Sequence, residues 1–148
     1  MYHFEDMSVG LKIDIGSYHV SKEEIIDFAS QFDPASFHLN EAAGNASMLG
    51  GLAASGWHVC SMTMRMLCDS YLLNSAGEGS PGLDECKWLL PVLAGDTIEG
   101  HLVVEDARLS ASRKGIGLVN FRCNVFNQKG EMVMTFTNIG MIRTRQAQ

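Results

Sequence analysis

The sequence predicts an α+β protein in which an antiparallel sheet folds around one long helix. Two observations predict it. The inferred elements run strand, helices, then four strands in succession, which is the order of an α+β layer and not of alternating βαβ units. The segment WHVCSMTMRMLCDSYLLN (57–74) has helical period, and apolar residues cover most of its circumference. Such a helix must be wrapped by other structure. With 148 residues, 46% of them apolar and 19% charged, the chain is expected to bury one core and form a single domain over 1–148.

Taken in order, GLKIDIGSYHV (10–20) reads as the first strand. SKEEIIDFASQF (21–32) then reads as a helix. Ser21 and Glu24 have the spacing of a capping box, and Ile25, Ile26, Phe28, Ala29 and Phe32 supply an apolar face. Pro34 stops it, because the residue before a proline avoids the helical region, so Asp33 falls in the turn. Asn40 is placed to cap a short second helix through EAAGNAS. A glycine-rich turn, LGGLAASG, leads into the long helix. On that helix His58, Ser61, Arg65 and Asp69 form a narrow polar stripe, with Arg65 and Asp69 spaced to pair. After the loop SAGEGSPG come LDECKWLLPV, DTIEGHLVVEDARL, GIGLVNFRCNVFN and EMVMTFTNIGMIRT, all read as strands. NQKG joins the last two as a hairpin turn with Gly130 at positive φ.

Several function classes are excluded or disfavoured. A formal charge of −6 argues against nonspecific nucleic-acid binding. No apolar stretch is long enough to span a bilayer, and no basic region followed by an apolar run opens the chain. The expectation is therefore a cytoplasmic protein that contacts neither membrane nor nucleic acid. Cys60, Cys68, Cys86 and Cys123 show no Cys-x-x-Cys spacing and read as reduced, mostly buried thiols; no metal-ligand cluster is present. GEGSPG (77–82) matches a dinucleotide fingerprint in letters only, since a helix precedes it and a strand follows. AASGW is not a G-x-S-x-G elbow, so Ser55 is a poor hydrolase nucleophile. His58 reads as a structural histidine bonded to a neighbour, and Met62, Met64 and Met66 as core filler.

One short stretch invites a sharper reading. In QFDPASFHLN (31–40), Asp33 is followed by a proline, and His38 lies five positions after the acid. Asp-Pro alone is a helix stop. An acid and an imidazole in one constrained turn can also act together on one water.

The Asp-Pro turn with its histidine, the segment GGLAASGWH, and the later segments PVLAGDTI, SRKGIG and NQKGEMV together resemble the MaoC-like dehydratases, which include the R-specific enoyl-CoA hydratases. The resemblance runs from Val9 to Arg143. It implies the hot-dog fold, a homodimer or higher homo-oligomer with pockets at the interface, and reversible hydration of a 2-enoyl-CoA to a 3-hydroxyacyl-CoA. No cofactor is implied beyond the coenzyme A carried by the substrate. The family's catalytic pair falls on Asp33 and His38, and the donor to the thioester oxygen on Gly56, with Ser55 beside it. Arg113 and Lys114, in the loop SRKG, are the candidates to meet coenzyme A phosphates. The strict hydratase loop carries Asn-Pro between acid and histidine; here Pro34, Ala35, Ser36 and Phe37 stand there, so the spacing is kept and the asparagine is absent. Two alternatives stay open: a non-catalytic module binding acyl-CoA or an acyl group, and a hot-dog acyl-CoA thioesterase.

Overall fold

In the computed structural model, which describes residues 1–147, a six-stranded antiparallel sheet curls around a 15-residue helix. The elements are β1 (Lys12–His19), α1 (Lys22–Phe32), α2 (Glu41–Ala46), α3 (Gly56–Ser70), β2 (Gly77–Gly79), β3 (Leu83–Trp88), β4 (Thr97–Leu109), β5 (Ile116–Phe126) and β6 (Met132–Arg143). The strand path is β1-β4-β5-β6-β2, and β3 also pairs with β6. The long strands β4, β5 and β6 form the body of the sheet, and β1 and β3 lie at its edges.

The strand periodicity explains the core. In β5 every second residue, including Val119, Phe121, Cys123 and Val125, turns inward and is buried. Helix α3 lays Val59, Met62, Thr63, Met66 and Leu67 against that face. Burial pushes the Cys123 thiol up to about 12 and the Cys60 thiol up to about 11, so neither is thiolate at neutral pH. No helix among the described residues is long and apolar enough to cross a membrane.

Three local expectations are modified. Ser21 caps α1 by accepting from the Glu24 N–H at 3.2 Å, but the Glu24 carboxylate accepts from the Tyr18 hydroxyl instead of returning to Ser21. The box is therefore half a box, because a strand hydroxyl offers the carboxylate a better partner than the cap amide. Within SAGEGSPG the chain forms the short strand β2 on the end of β6, where only backbone pairing shapes it. Helix α3 is also not wrapped on all sides. Trp57 is 63% exposed and Met64, two turns on, 49% exposed. The sheet of one chain covers one flank of the helix and leaves the other open.

The segment that enters α3 is held from both sides. The Ala54 N–H donates to the Val92 carbonyl at 2.8 Å and the Ala94 N–H to the Leu52 carbonyl at 3.0 Å. Gly44 of α2 packs directly on this segment: a Cβ there would stand 2.4 Å from the Gly51 carbonyl oxygen and 2.7 Å from the Leu52 nitrogen. Those are backbone atoms and cannot swing aside. Gly44→Ala is thus expected to destabilise the fold by about 1–2 kcal/mol, the overpacking cost exceeding the gain in helix propensity. A shift in the urea midpoint at unchanged slope measures it.

Candidate active site

The site forms where the C-terminus of α1, the following turn and the N-terminus of α3 meet. Asp33 ends α1; its N–H still closes the helix on the Ala29 carbonyl at 2.9 Å, and the Ala35 N–H folds back onto the Asp33 carbonyl at 2.8 Å. Residues Ser36–His38 then make one 3₁₀ turn, which swings His38 inward. The histidine is buried, while the Asp33 carboxylate is about a third exposed.

The imidazole is oriented by a backbone group. Its Nδ1 lies 2.7 Å from the Ala53 carbonyl oxygen, which can only accept, so Nδ1 carries the proton. In the neutral ring Nε2 is then bare. It sits 3.4 Å from Asp33 Oδ2. Two proton acceptors lie side by side, close enough to share a proton or to accept together from one water beside them. The Ser55 hydroxyl donates to the same Oδ2 at 2.7 Å from a fully buried position. A charge-assisted bond of this kind contributes about 1.5–3 kcal/mol and fixes the carboxylate rotamer.

These distances revise the expected part of Ser55. Its hydroxyl is committed to Asp33, makes no cap to α3, and is not offered to a thioester oxygen. Gly56 opens α3 as expected, so its N–H is among the first-turn donors that lack a helical partner. A Cβ at 56 would stand 2.5–2.9 Å from the Trp88 indole, whose Nε1–H donates to the Gly56 carbonyl at 2.9 Å. The missing side chain makes room for Trp88.

Arg113 and Lys114 are not brought to this site within one chain. They lie in the turn between β4 and β5, whereas the chain just before β4 (92–94) pairs with the site segment 52–54. The length of β4, 13 residues, separates the two places. At the usual rise that is roughly 40 Å of strand. Arg113 contacts the Met141 sulfur at 3.8 Å instead.

An apolar cavity of about 430 Å³ runs along α3 from Cys60, one turn below Gly56. Met64, Leu67, Phe121, Phe136 and Met141 line it. Sequence reasoning missed three features: the Ala53 carbonyl, Trp88, and the seat of His58. His58 is buried, stacks flat on Phe28 (centroids 4.6 Å apart, planes 7° apart), and has an Nδ1 without a partner. The bond to a neighbour expected of His58 is not made by that nitrogen. Only Trp88 left a trace, as a tryptophan closing a strand.

An antiparallel sheet wrapped on a central helix, with an acid, an imidazole and a helix N-terminus at one end, defines a hot-dog protein with an acid–base site. The model of the MaoC like domain matches residues 7–120, and the chain belongs to that family. The crystal structure of the MaoC-like dehydratase from Rhodospirillum rubrum is 36% identical, covers 98% of this chain and 99% of its own, and superposes with a TM-score of 0.92. The R-hydratase PhaJ1 from Pseudomonas aeruginosa, solved unliganded, is 20% identical over 97% of this chain and 86% of its own, with a TM-score of 0.76; that likeness speaks for the fold alone. Among curated proteins, the uncharacterized protein YdeM of Bacillus subtilis is 22% identical over 125 residues, 84% of this chain and 87% of its own.

Burial holds the His58 imidazole below the ordinary histidine value, and Glu24 only partly offsets this. The unfolded chain, titrating near 6.5, then binds a proton that the folded chain refuses. Stability from this group is whole above pH 6.5 and is lost as pH falls from there towards the folded-state value. The melting temperature is therefore expected to drop on acidification below about pH 6.5, and more gently in His58→Phe. Part of the slope survives, because burial and Lys12 lower His101 as well. Thermal melts across pH 5–8 read the difference.

Proposed function

We propose that this protein is a hydro-lyase that adds water to, or removes it from, a 2-enoyl/3-hydroxyacyl thioester of the coenzyme A type. The observation that carries the reading is the Asp33–His38 pair, 3.4 Å apart, beside the start of α3. Its membership in the MaoC-like family, and its likeness to solved R-hydratases, support it.

The chemistry follows from the tautomer. One water bridges the bare Nε2 of His38 and the Asp33 carboxylate. As its oxygen attacks C3, the pair takes one of its protons and passes one on to C2, so that a whole water is added across the double bond and the pair returns to its starting state. The charge that grows on the thioester oxygen meets the Gly56 N–H and the positive end of α3. A preorganised donor of this kind lowers such a barrier by about 3–4 kcal/mol. The acyl part lies in the apolar cavity below Gly56. In this mechanism Asp33 and His38 are catalytic, Gly56 binds the oxyanion, Ser55 holds the acid, and no cofactor takes part.

The working unit is a homo-oligomer. Strand β3 is an edge with unpaired backbone groups, and around it Leu83, Trp88, Leu89 and Leu90 are 41–50% exposed, next to the open flank of α3. An apolar edge of that kind favours pairing with a second copy. Arg113 and Lys114 reach coenzyme A phosphates only from such a second subunit. Light scattering is expected to give a mass of twice 16.2 kDa or a higher multiple; a monomer at micromolar concentration sinks this part of the reading.

Asp33→Asn and His38→Ala are each expected to lower hydration of enoyl-CoA substrates by about a hundredfold or more while circular dichroism stays unchanged. A panel of enoyl-CoA and 3-hydroxyacyl-CoA thioesters, read at the absorbance of the conjugated thioester, tests this. Full activity in a folded variant removes the assignment. Release of free thiol points to a thioesterase, and ligand-induced stabilisation without any product to a binding module.

A further inference from the structure

We propose that the stack of His58 on Phe28 is a positioning clamp that sets the separation between Asp33 and the N-terminus of α3. The proposal rests on the reading of Asp33 and Gly56 given above. Phe28 lies five residues before Asp33 on α1, and His58 two residues after Gly56 on α3. The two rings overlap face to face at 4.6 Å and 7°. No other ring pair joins these two helices among the described residues. The clamp thus binds the helix that carries the acid to the helix that carries the amide, close to both.

The state of the imidazole argues that its face is what the fold uses. His58 is 94% buried, yet its Nδ1 meets no hydrogen-bond partner. Leaving such a group unsatisfied is costly, and a histidine retained for hydrogen bonding would not be seated so. Phe32 and Met62 complete its apolar surroundings, and polar groups line the rest of the groove. The groove between α1 and α3, about 280 Å³, presents Glu24 and Asp27 from α1, Tyr18 from β1, and Ser61 and Arg65 from α3 itself. Glu24 is held by Tyr18, and Arg65 by Asp69 at 3.0 Å. The ring face of Phe28 thus adds a second tie between α1 and the first turn of α3, beside the hydrogen bond from Ser55 to Asp33. One hydrogen bond leaves the two helix ends free to pivot about it, and the ring stack removes that freedom where it affects the reacting groups.

The clamp touches no substrate, so it acts through kcat. His58→Ala and Phe28→Ala are each expected to lower kcat for enoyl thioester hydration roughly ten- to a hundredfold, with KM held within about twofold. His58→Phe, which keeps a flat ring and has no nitrogen, restores kcat to within about threefold of wild type. The His58→Ala, Phe28→Ala double variant loses no more than either single one, because both remove the same contact. Should alanine at 58 unfold the chain, His58→Gln, which fills the space without a ring, takes its place. Wild-type kcat in a folded ringless variant, losses that add, or failure of Phe to rescue each overturns the clamp.

A second readout does not depend on turnover. Nitrogen-15 spectra of the His38 ring report its contact with Asp33. They are expected to change in His58→Ala and to match wild type in His58→Phe; unchanged spectra in His58→Ala overturn the clamp. If wild type hydrates no thioester, the proposed function fails, and the His38 spectra decide the clamp alone.

Discussion

The hydrogen bond from Ser55 to Asp33 ties the end of α1 to the start of α3, and the arrangement of the site depends on that tie. It uses a buried hydroxyl that would otherwise cap α3. Diverting it to the carboxylate has two consequences. The acid is held in one rotamer while its side chain stays a third exposed, and the side-chain cap is withheld from the first turn of α3. One bond thus presents the acid and bares the amides. The neighbouring Ala53 carbonyl does the equivalent for His38 by fixing its tautomer. Four consecutive positions, 53 to 56, set the state of every group in the site.

That segment is itself held by backbone pairing to residues 92–94 and by the Gly44 contact. The site is therefore built on backbone paired to the segment that leads into β4, although its catalytic side chains come from a turn. Backbone pairing of this kind resists displacement better than side-chain contacts on a surface loop, and a site that must hold acceptors about 3.4 Å apart benefits from it. Trp88 extends the same logic across the fold. By donating to the Gly56 carbonyl and filling the space beside its Cα, the indole links edge strand β3 to the first residue of α3. Whatever covers β3 in an assembly consequently bears on the amide end of the site.

Much of this was legible in the sequence because it is local. The stop at Pro34, the cap at Asn40, the Arg65–Asp69 pair and the turn at Gly130 each depend on residues within four positions of one another, and all four appear in the structure. The alternation of β5 follows from the pleat and marked the core-facing residues. The acid-to-histidine spacing, with the family resemblance behind it, brought Asp33 and His38 forward as a pair.

What tertiary structure alone decided are contacts between distant segments. Ser55 meets Asp33 across 22 positions, and Trp88 meets Gly56 across 32. A serine before a helix reads as a cap, because local rules see one neighbour at a time. His58 shows the limit most plainly. Its place in a polar stripe suggested a bonded histidine, yet the packing of α1 turned it onto Phe28 and left Nδ1 unpaired. The open flank of α3 was equally out of reach, since helical period shows that a face is apolar and not whether the same chain can cover it. By itself the sequence determined the elements, their caps and the identity of the acid and the imidazole; which groups those residues spend their hydrogen bonds and ring faces on was decided by how the sheet closes round the helix.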